Sequence, residues 1–285
     1  MDKYDVSVLG FGDNVVDKYV HIKTMYPGGN CVNFAVYADM FGAKRSAYMG
    51  YFGDDAEAEH VIAALEEIGI EMIKCEQLKG ENGCAKATII DGDRIFLGSN
   101  EGGIRGKTPF ILDRFDLEYI KQFDLVHSGN YCFMEQELHK IREAGILVSF
   151  DFSDDSTEEY YKKVAPDVDF AFCSFDGTNE EAKEHLKKVA SYGPKLAVAS
   201  RGADGCILYD GKSFYMQKAA PVETVVDTMG AGDSLITSFM VGYVAHLKRG
   251  EADADAITES LHEAAGFAAN ICGISGAFGY GKIYE

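Results

Sequence analysis

The chain contains 285 residues and has a formal net charge of −19 at pH 7, because 46 Asp and Glu residues outnumber 27 Lys and Arg residues. Hydrophobic residues make up 47% of the sequence, which excludes a disordered polymer and supplies a core that needs no disulfide or metal cross-link. The charge argues against nucleic acid and anionic membranes as partners, but backbone N–H groups can still hold a small anion. We assign residues 1–285 to one domain, since the length suits a single large α/β unit.

Short apolar runs alternate along the chain with longer amphipathic segments, as is typical of an α/β protein. Residues 170–173 and 196–199 are apolar without alternation, which predicts strands buried on both faces in a mainly parallel sheet covered by helices. In chain order, strands are predicted at residues 6–11, 47–51, 71–75, 85–90, 95–97, 125–128, 147–152, 170–173, 196–199 and 206–209. Helices are predicted at residues 33–41, 56–68, 117–121, 135–144, 178–192, 234–247 and 254–272.

Two stretches interrupt this alternation. Residues 14–26 and 84–99 read as paired extended segments without a following helix, and the tripeptide Asp91-Gly92-Asp93 favours a tight hairpin turn. They predict a small β-sheet that stands off the main sheet as a lid, formed by about residues 13–32 and 83–107. Its edges would be exposed, and pairing of two lids in a homodimer would cover them.

The first twenty residues lack a basic segment followed by an apolar core, so no signal peptide is expected. The longest uncharged run, residues 264–281, contains five glycines and is a poor candidate for a membrane helix. The seven cysteines are scattered without a Cys-x-x-Cys pair, and the histidines show no His-x₃-His pair. We therefore expect a cytoplasmic protein with reduced thiols and no structural transition metal.

Two glycine patterns suggest nucleotide sites and fail on inspection. Residues 10–15, GFGDNV, follow the first strand, but Val15 stands where a dinucleotide fingerprint needs Gly or Ala. The Gly-Lys-Thr and Gly-Lys-Ser tripeptides at 106–108 and 211–213 lack the glycine that a P-loop places five residues earlier. An NAD-linked dehydrogenase would depend on the first, defective pattern.

The segment 225–234, VVDTMGAGDS, leads directly into an amphipathic helix. The small residues Gly230, Ala231 and Gly232 allow a tight turn that aims several N–H groups at one point, and the helix dipole adds partial positive charge there. Such an anion hole could stabilise a transferring phosphoryl group without Lys or Arg, and Asp233 at the helix start could accept a proton from an attacking hydroxyl. The simpler alternative is a loop with Asp233 as an N-cap.

Residues 227–233, DTMGAGD, resemble the C-terminal signature of the ribokinase-like (PfkB) carbohydrate kinases. Residues 28–37, GGNCVNFAVY, are similar to the first signature of that family, and residues 50–55, GYFGDD, match the strand and turn that follow it. The matches run in family order from about residue 6 to residue 278. Within the family the sequence is most similar to the fructoselysine 6-kinases.

The resemblance implies a three-layer α/β/α fold with a small β lid, and an ATP- and Mg²⁺-dependent kinase that phosphorylates a primary hydroxyl of a sugar derivative, in the first place the 6-hydroxyl of a fructosamine. A kinase of fructose, ribose, a ketodeoxy sugar acid or a nucleoside, and an inactive sugar-binding regulator, remain alternatives. Asn30 could contact the sugar or cap the following helix. The implied sugar-binding residues are Asp17, Gly28, Gly29, Asn33 and Glu101.

The nucleotide is expected beside a turn that follows the strand at 196–199. In several family members the Asp227 region binds a monovalent cation such as K⁺, so that residue is a candidate by resemblance. One departure concerns Mg²⁺, because Ser174 stands where the family often has an Asn, which leaves the protein ligands of Mg²⁺ open. The implied ATP-binding residues are Ser200, Arg201, Gly202, Gly205 and Asn270.

Overall fold

The computed structural model of the chain describes residues 3–90, 93–251 and 254–285, and only the backbone of residues 89, 90, 93 and 94. The strands are β1 (Tyr4–Phe11), β2 (Val15–Tyr19), β3 (Thr24–Gly28), β4 (Ala43–Met49), β5 (Tyr51–Phe52), β6 (Glu76–Gln77), β7 (Gly83–Ile90), β8 (Asp93–Ser99), β9 (Leu125–Gly129), β10 (Leu147–Asp151), β11 (Phe170–Ser174), β12 (Leu196–Ser200), β13 (Cys206–Tyr209), β14 (Phe214–Gln217) and β15 (Lys282–Ile283). The helices are α1 (Asn30–Phe41), α2 (Ala56–Ile68), α3 (Ile104–Lys107), α4 (Arg114–Ile120), α5 (Leu138–Glu143), α6 (Glu158–Val164), α7 (Asn179–Ala190), α8 (Ala231–Arg249) and α9 (Ala254–Ile271).

Eight strands form the main sheet in the order β14-β13-β12-β11-β10-β9-β1-β4. The six strands from β12 to β4 are parallel, while β13 and β14 are antiparallel to their neighbours. This confirms the expected mainly parallel sheet. Because ligands in such sheets bind at the carboxyl ends of the strands, the ends of β1, β9 and β10 mark the place to look for a site.

Helices cover both faces of the sheet and bury two apolar clusters. One cluster lies beneath α2, α5, α6 and α7 and includes Phe150 and Phe152, which are fully buried. The other lies beneath α8 and α9 and includes Phe34 of α1 and Phe239 of α8. The layers are therefore α/β/α, as the sequence predicts. Within the described residues, no helix combines the length and apolar character that crossing a bilayer requires.

A second sheet of five strands, in the order β15-β3-β2-β7-β8, forms the lid. The β7–β8 hairpin confirms the extended pairing expected there, although Asp91 and Gly92 of its turn lie outside the described residues. Strand β15 near the C-terminus pairs with β3 and extends the lid beyond the expected segments. The lid therefore combines strands from early in the sequence, β2 and β3, with strand β15 from its last residues.

Some sequence predictions are wrong. Residues 71–75, all of them described, form an isolated bridge from Glu71 to Ala47 instead of a strand. Strand β14 and helix α6 were not expected. Helix α6 is charged and rich in tyrosine, and only a narrow face of it is buried. The predicted bounds of the long helices agree within two residues except at the start of α1 and α8, which begin three residues earlier than predicted.

The early starts of α1 and α8 share one cause. Most other long helices begin at a side chain that accepts a backbone N–H, such as Asp55 before α2 and Thr178 before α7. Helices α1 and α8 begin instead after Gly29 and Gly230, whose φ angles are 104° and 73°. Glycine adopts these angles without steric cost, so the preceding loop can turn directly into the first turn of each helix.

Candidate active site

Helix α8 begins where the backbone of Gly230 approaches Tyr37 of α1. A Cβ on Gly230 would lie 2.1 Å from the Tyr37 hydroxyl oxygen, so no other residue fits this position without displacement. That hydroxyl donates to the carbonyl of Ala277 at 2.6 Å. Gly232, two residues further on, has open space where a Cβ would stand. The first turn of α8 is therefore packed on one side and open on the other.

Asp233 lies in this first turn and is held by two amide side chains of α1. Asn33 Nδ2 donates to Asp233 Oδ2 at 2.6 Å, and Asn30 Nδ2 donates to Asp233 Oδ1 at 2.9 Å. Burial raises the pKa of Asp233 to about 7; the Asn33 bond lowers it, the charges of Asp151 and Asp13 raise it, and the Asn30 bond lowers it. A carboxyl with this pKa is suited to accept a proton near neutral pH.

The proposed sugar-binding residues Asp17 and Asn33 meet over Gly28. A Cβ on Gly28 would lie 2.9 Å from Asp17 Oδ2 and 3.6 Å from Asn33 Oδ1, so the missing side chain leaves room between two acceptors. Asn33 is 3% exposed, and its Oδ1 atom is buried without a hydrogen-bond partner in the described part of the chain. A buried acceptor of this kind is costly unless a ligand satisfies it.

Asp13 holds the start of α1 in place. Its carboxylate accepts the backbone N–H groups of Asn30 and Cys31 and the thiol of Cys132. Asp13, Cys31 and Cys132 also form a group of potential metal ligands. Burial raises the pKa of both thiols, and the carboxylate is engaged as a cap, so this group fits a helix anchor and lacks the oxygen ligands that Mg²⁺ prefers.

Beside α8 a cleft of about 550 Å³ opens between the ends of β11 and β12, the first turn of α8, and α9. Ser174 and Ser200 contribute hydroxyl groups whose oxygens lie 3.3 Å apart. Alanines line much of the remaining wall, among them Ala265 and Ala268. Small apolar walls suit a flat base, and hydroxyl and amide groups suit phosphates, so this cleft, called the nucleotide cleft below, is the candidate nucleotide site.

Residues 5–275 match the sequence profile described as the pfkB family carbohydrate kinase. The chain belongs to the pfkB family of carbohydrate kinases. Fructosamine kinase FrlD of Bacillus subtilis is 38% identical over 285 residues, which cover 98% of this chain and 95% of the relative. Fructoselysine 6-kinase of Escherichia coli is 32% identical over 234 residues, covering 82% of this chain and 88% of the relative.

Solved structures support the ribokinase-like fold. Ribokinase from Giardia lamblia superposes with a TM-score of 0.79 at 17% identity, covering 93% of this chain and 92% of that one. Arabidopsis thaliana ribokinase complexed with ribose and ATP gives 0.76 at 21% identity, covering 97% and 95%. Membership in the pfkB family makes this chain a carbohydrate kinase, and such kinases use ATP with a divalent metal.

The structure brings most of the expected residues together. Asp17, Gly28 and Asn33 adjoin one another at the lid–α1 junction, Gly29 is the N-cap of α1, and Asn33 contacts Asp233. Gly230 forms the N-cap beside this group. The residues predicted for catalysis or ATP that line the nucleotide cleft are Ala231, Gly232, Ser200, Gly202 and Gly205.

Three expected residues stand apart in the structure. The Arg201 guanidinium donates to the Asn179 side chain and the Gly177 carbonyl, so it points toward the start of α7 rather than into the nucleotide cleft. Asn270 is exposed on α9, while its neighbours Ala268 and Ala269 face the cleft. Glu101 lies on an exposed turn after β8 with φ of 53°.

Asp227 connects three parts of the site. Its Oδ2 atom accepts the Tyr19 hydroxyl of the lid at 2.6 Å and the N–H of Gly276 at 3.0 Å, and its Oδ1 atom accepts the N–H of Met229 at 3.0 Å. The carboxylate thus joins β2, the loop before α8 and the loop after α9. These bonds support a connecting role, and the cation expected from the resemblance stays a prediction.

Sequence reasoning missed two polar residues next to Asp233 or its partners. Asp151 ends β10 and accepts the second Asn30 Nδ2 bond at 3.1 Å, and burial raises its pKa to about 6. The Nε2 atom of His127 in β9 lies 2.9 Å from the Oδ1 atom of Asn30. Asp151 could have been found, since an acidic residue at the carboxyl end of a buried parallel strand is a candidate site residue. His127 offered no local signal, because a single histidine in an apolar strand is usually part of the core.

Proposed function

We propose that the protein transfers the γ-phosphoryl group of ATP to the 6-hydroxyl of a fructosamine such as fructoselysine. The observation that carries the proposal is Asn33. Its Nδ2 atom donates to Asp233, while its buried Oδ1 atom has no partner among the described residues and adjoins Gly28. A sugar hydroxyl that donates to Oδ1 would place the neighbouring part of the sugar next to the base.

In the proposed reaction, the acceptor hydroxyl gives its proton to the carboxylate of Asp233 as its oxygen attacks the γ-phosphorus, and ADP leaves on the opposite side. A base with a pKa of about 7 is largely ionised at slightly alkaline pH yet still binds a proton well. The N–H groups at the first turn of α8 would face the charge of the transferring group. General-base catalysis of this kind contributes about 10²- to 10⁴-fold.

The same geometry supports a proposal for the metal and the nucleotide. Hydroxyls of Ser174, Ser200 and Thr228 line the cleft and suit phosphate oxygens and water molecules. We therefore propose that Mg²⁺ arrives bound to ATP and retains water ligands, which needs few protein carboxylates. Bound there, Mg²⁺ would supply positive charge to the phosphates. A monovalent cation near Asp227 is tested by comparing rates in potassium and sodium buffers.

The choice of a fructosamine is supported by the two relatives named for fructosamine and fructoselysine, which match this chain over most of its length. The net charge of −19 also suits a substrate that carries an ammonium group. Fructosamines differ from fructose by this nitrogen on the first carbon, so they present a positive charge at the end of the sugar opposite to the 6-hydroxyl.

The test is a coupled ADP assay with a panel of acceptors: fructoselysine, a second fructosamine, fructose, ribose, a ketodeoxy sugar acid and a nucleoside. The expected result is a kcat/KM for the fructosamines at least about tenfold above the other acceptors, since a matched charge is worth more than about 1.4 kcal/mol. Phosphorus–carbon coupling in the NMR spectrum of the product identifies the phosphorylated carbon. A preference for fructose or ribose would show that this sugar, and not a fructosamine, is the substrate. Binding of sugars without ADP release would favour an inactive regulator.

We also propose that two chains pair through their lids. Apolar side chains are exposed on the lid strands and the adjoining turn, with Phe96 at 65% and Ile283 at 81% exposure. Exposed strands with apolar side chains commonly pair with another copy. Light scattering measures the mass directly: a dimer that Phe96→Glu converts to a monomer is expected, and a monomeric wild type at micromolar concentration would contradict the pairing.

A further inference from the structure

A chain of hydrogen bonds runs from Asp233 into the interior of the main sheet. Asn30 Nδ2 donates to Asp233 Oδ1 at 2.9 Å and to Asp151 Oδ2 at 3.1 Å. On the other side of the same amide, Asn30 Oδ1 lies 2.9 Å from His127 Nε2, and His127 Nδ1 lies 2.8 Å from Ser149 Oγ. The chain thus links α8 and α1 to the neighbouring strands β9 and β10.

Donor and acceptor roles in this chain follow from chemistry. In their ionised forms the two carboxylates only accept, so they require the NH₂ group of Asn30 and leave its oxygen toward His127. His127 Nε2 must then carry a hydrogen and donate it to Asn30 Oδ1. A neutral imidazole has one remaining acceptor, so His127 Nδ1 accepts from the Ser149 hydroxyl. Every bond in the chain therefore has one direction.

The imidazole itself is fixed. His127 has no solvent exposure, and its ring stacks on Phe34 of α1 with centroids 4.3 Å apart. Burial lowers the pKa of His127 to about 3, so the ring stays neutral at every pH at which the protein would work. An apolar side chain would fill this position without the cost of burying a polar ring, which argues that the polar contact has a purpose.

We infer that His127 is a positioning residue for the reaction, because its Nε2–H holds the Asn30 amide with both hydrogens directed at Asp233 and Asp151. This inference rests on the proposed role of Asp233 as base. With the amide reversed, Asn30 Oδ1 would face two carboxylates and repel them, and Asp233 would lose one of the two bonds that fix its orientation. The expected loss is in the chemical step, since a misplaced base slows turnover more than it weakens sugar binding.

The kinetic test compares two substitutions of His127. His127→Gln places an amide N–H near the original Nε2 and should keep kcat within about fivefold, whereas His127→Leu removes the donor and should lower kcat by about 10- to 100-fold with the acceptor KM changed by less than about threefold. In an Asn30→Ala background the same His127→Leu change should have no further effect on kcat, because the Asn30 amide through which His127 acts on Asp233 is already absent. Equal losses for Gln and Leu, or additive losses in the Asn30→Ala background, would overturn the inference.

A second measurement needs no substrate and reads the wild-type protein itself. Nitrogen-15 NMR of histidine-labelled wild-type protein, with His127→Gln to assign the signal, reports which ring nitrogen carries hydrogen. The expected signature is a neutral ring protonated on Nε2 that does not titrate between pH 5 and pH 9. Protonation on Nδ1 would overturn the inference even in an active enzyme. If no acceptor is phosphorylated but the Nε2–H signature is present, the proposed function fails while the chain of hydrogen bonds stands.

Discussion

Replacing Asp233 by Asn tests the base and its surroundings in one variant. The substitution removes the proton acceptor and the charge but keeps the shape of the side chain. The wild-type carboxylate accepts one bond from Asn33 and one from Asn30. An amide offers a single acceptor, but the Asn33 amide can rotate so that its unpartnered Oδ1 accepts from the new NH₂ group. The variant should therefore fold.

The raised pKa sets the size and sign of the stability change. The carboxyl of Asp233 ionises near 3.8 in an unfolded chain and at about 7 in the folded protein, so between these values the folded state binds more protons and the free energy of unfolding falls as pH rises. With about 1.4 kcal/mol for each tenfold difference in proton affinity, wild type should lose about 2 to 3 kcal/mol relative to Asp233→Asn between pH 5 and pH 8. Asp151 titrates in the same range in both proteins and cancels in the comparison to first order.

The catalytic effect has the opposite sign. Without a proton acceptor, kcat should fall by about 10²- to 10⁴-fold at pH 8, where wild type is ionised. KM for the acceptor should change less, since Asp17 keeps its place and the rotated Asn33 amide presents an NH₂ group whose hydrogen a sugar hydroxyl can accept. The variant is thus expected to be more stable and much less active than wild type at pH 8. The ionised carboxylate that activity needs is destabilising in a site that is partly shielded from water.

Melting curves of both proteins at pH 5, 6, 7 and 8 and the ADP assay at pH 8 measure these effects. For a chain of this length 1 kcal/mol corresponds to about 2 °C, so the melting-temperature difference should grow by about 4 to 6 °C from pH 5 to pH 8. Asp233→Glu is the matched control, because it keeps the charge and shifts its position. A constant melting-temperature difference would refute the raised pKa, and turnover within a few-fold of wild type would refute the base.

Further predictions concern the backbone and the sugar site. Gly230→Ala should lower the free energy of unfolding by more than about 2 kcal/mol, since φ is 73° and the new Cβ meets the Tyr37 hydroxyl, and adding Tyr37→Phe should restore only part of this loss. Gly232→Ala places its Cβ in open space, so this variant should melt like wild type but raise the KM for ATP by about tenfold or more. Equal melting temperatures for the Gly230→Ala and Gly232→Ala variants would contradict this prediction. Asp17→Asn should raise the acceptor KM by about 10- to 100-fold with the KM for ATP within twofold, and an unchanged acceptor KM would remove Asp17 from the sugar site. The pH profile of kcat/KM should rise about tenfold from pH 5 to pH 6 and level off above the pKa of about 7 of Asp233, and a flat profile would argue against it.

Much of the architecture follows from local pattern. Unalternated apolar runs such as Leu196–Ser200 are buried strands of a parallel sheet, and the extended segments without a following helix form the lid. The turn before α8 was also predictable, because Gly230 has a φ of 73° that few other residues adopt, although the helix was predicted to begin three residues later. These features depend on neighbours in sequence, so periodicity and residue type suffice to find them.

The partners of Asp233 could not be found in this way. Asn30 and Asp233 are 203 positions apart and touch only because α1 and α8 pack side by side at one end of the sheet. Arg201 shows the converse: its position in the chain suggested a phosphate contact, but its side chain turns toward Asn179. Which way a long side chain points depends on the competing partners in three dimensions, and Asn179 becomes available only when α7 forms beside β12.

The amides around Asp233 explain how a strongly acidic chain could build the proposed general base. The charge of Asp13 raises the pKa of both Asp151 and Asp233, and the charge of Asp151 raises the pKa of Asp233 further. A Lys at position 30 would relieve that repulsion, but an opposite charge beside Asp233 would lower its pKa by about one to three units and weaken the base. Asn30 and Asn33 supply hydrogen bonds without charge, so they fix the carboxylate and leave its pKa near neutrality. The acidity of the chain and the chemistry of the site are therefore compatible because neutral donors hold the base.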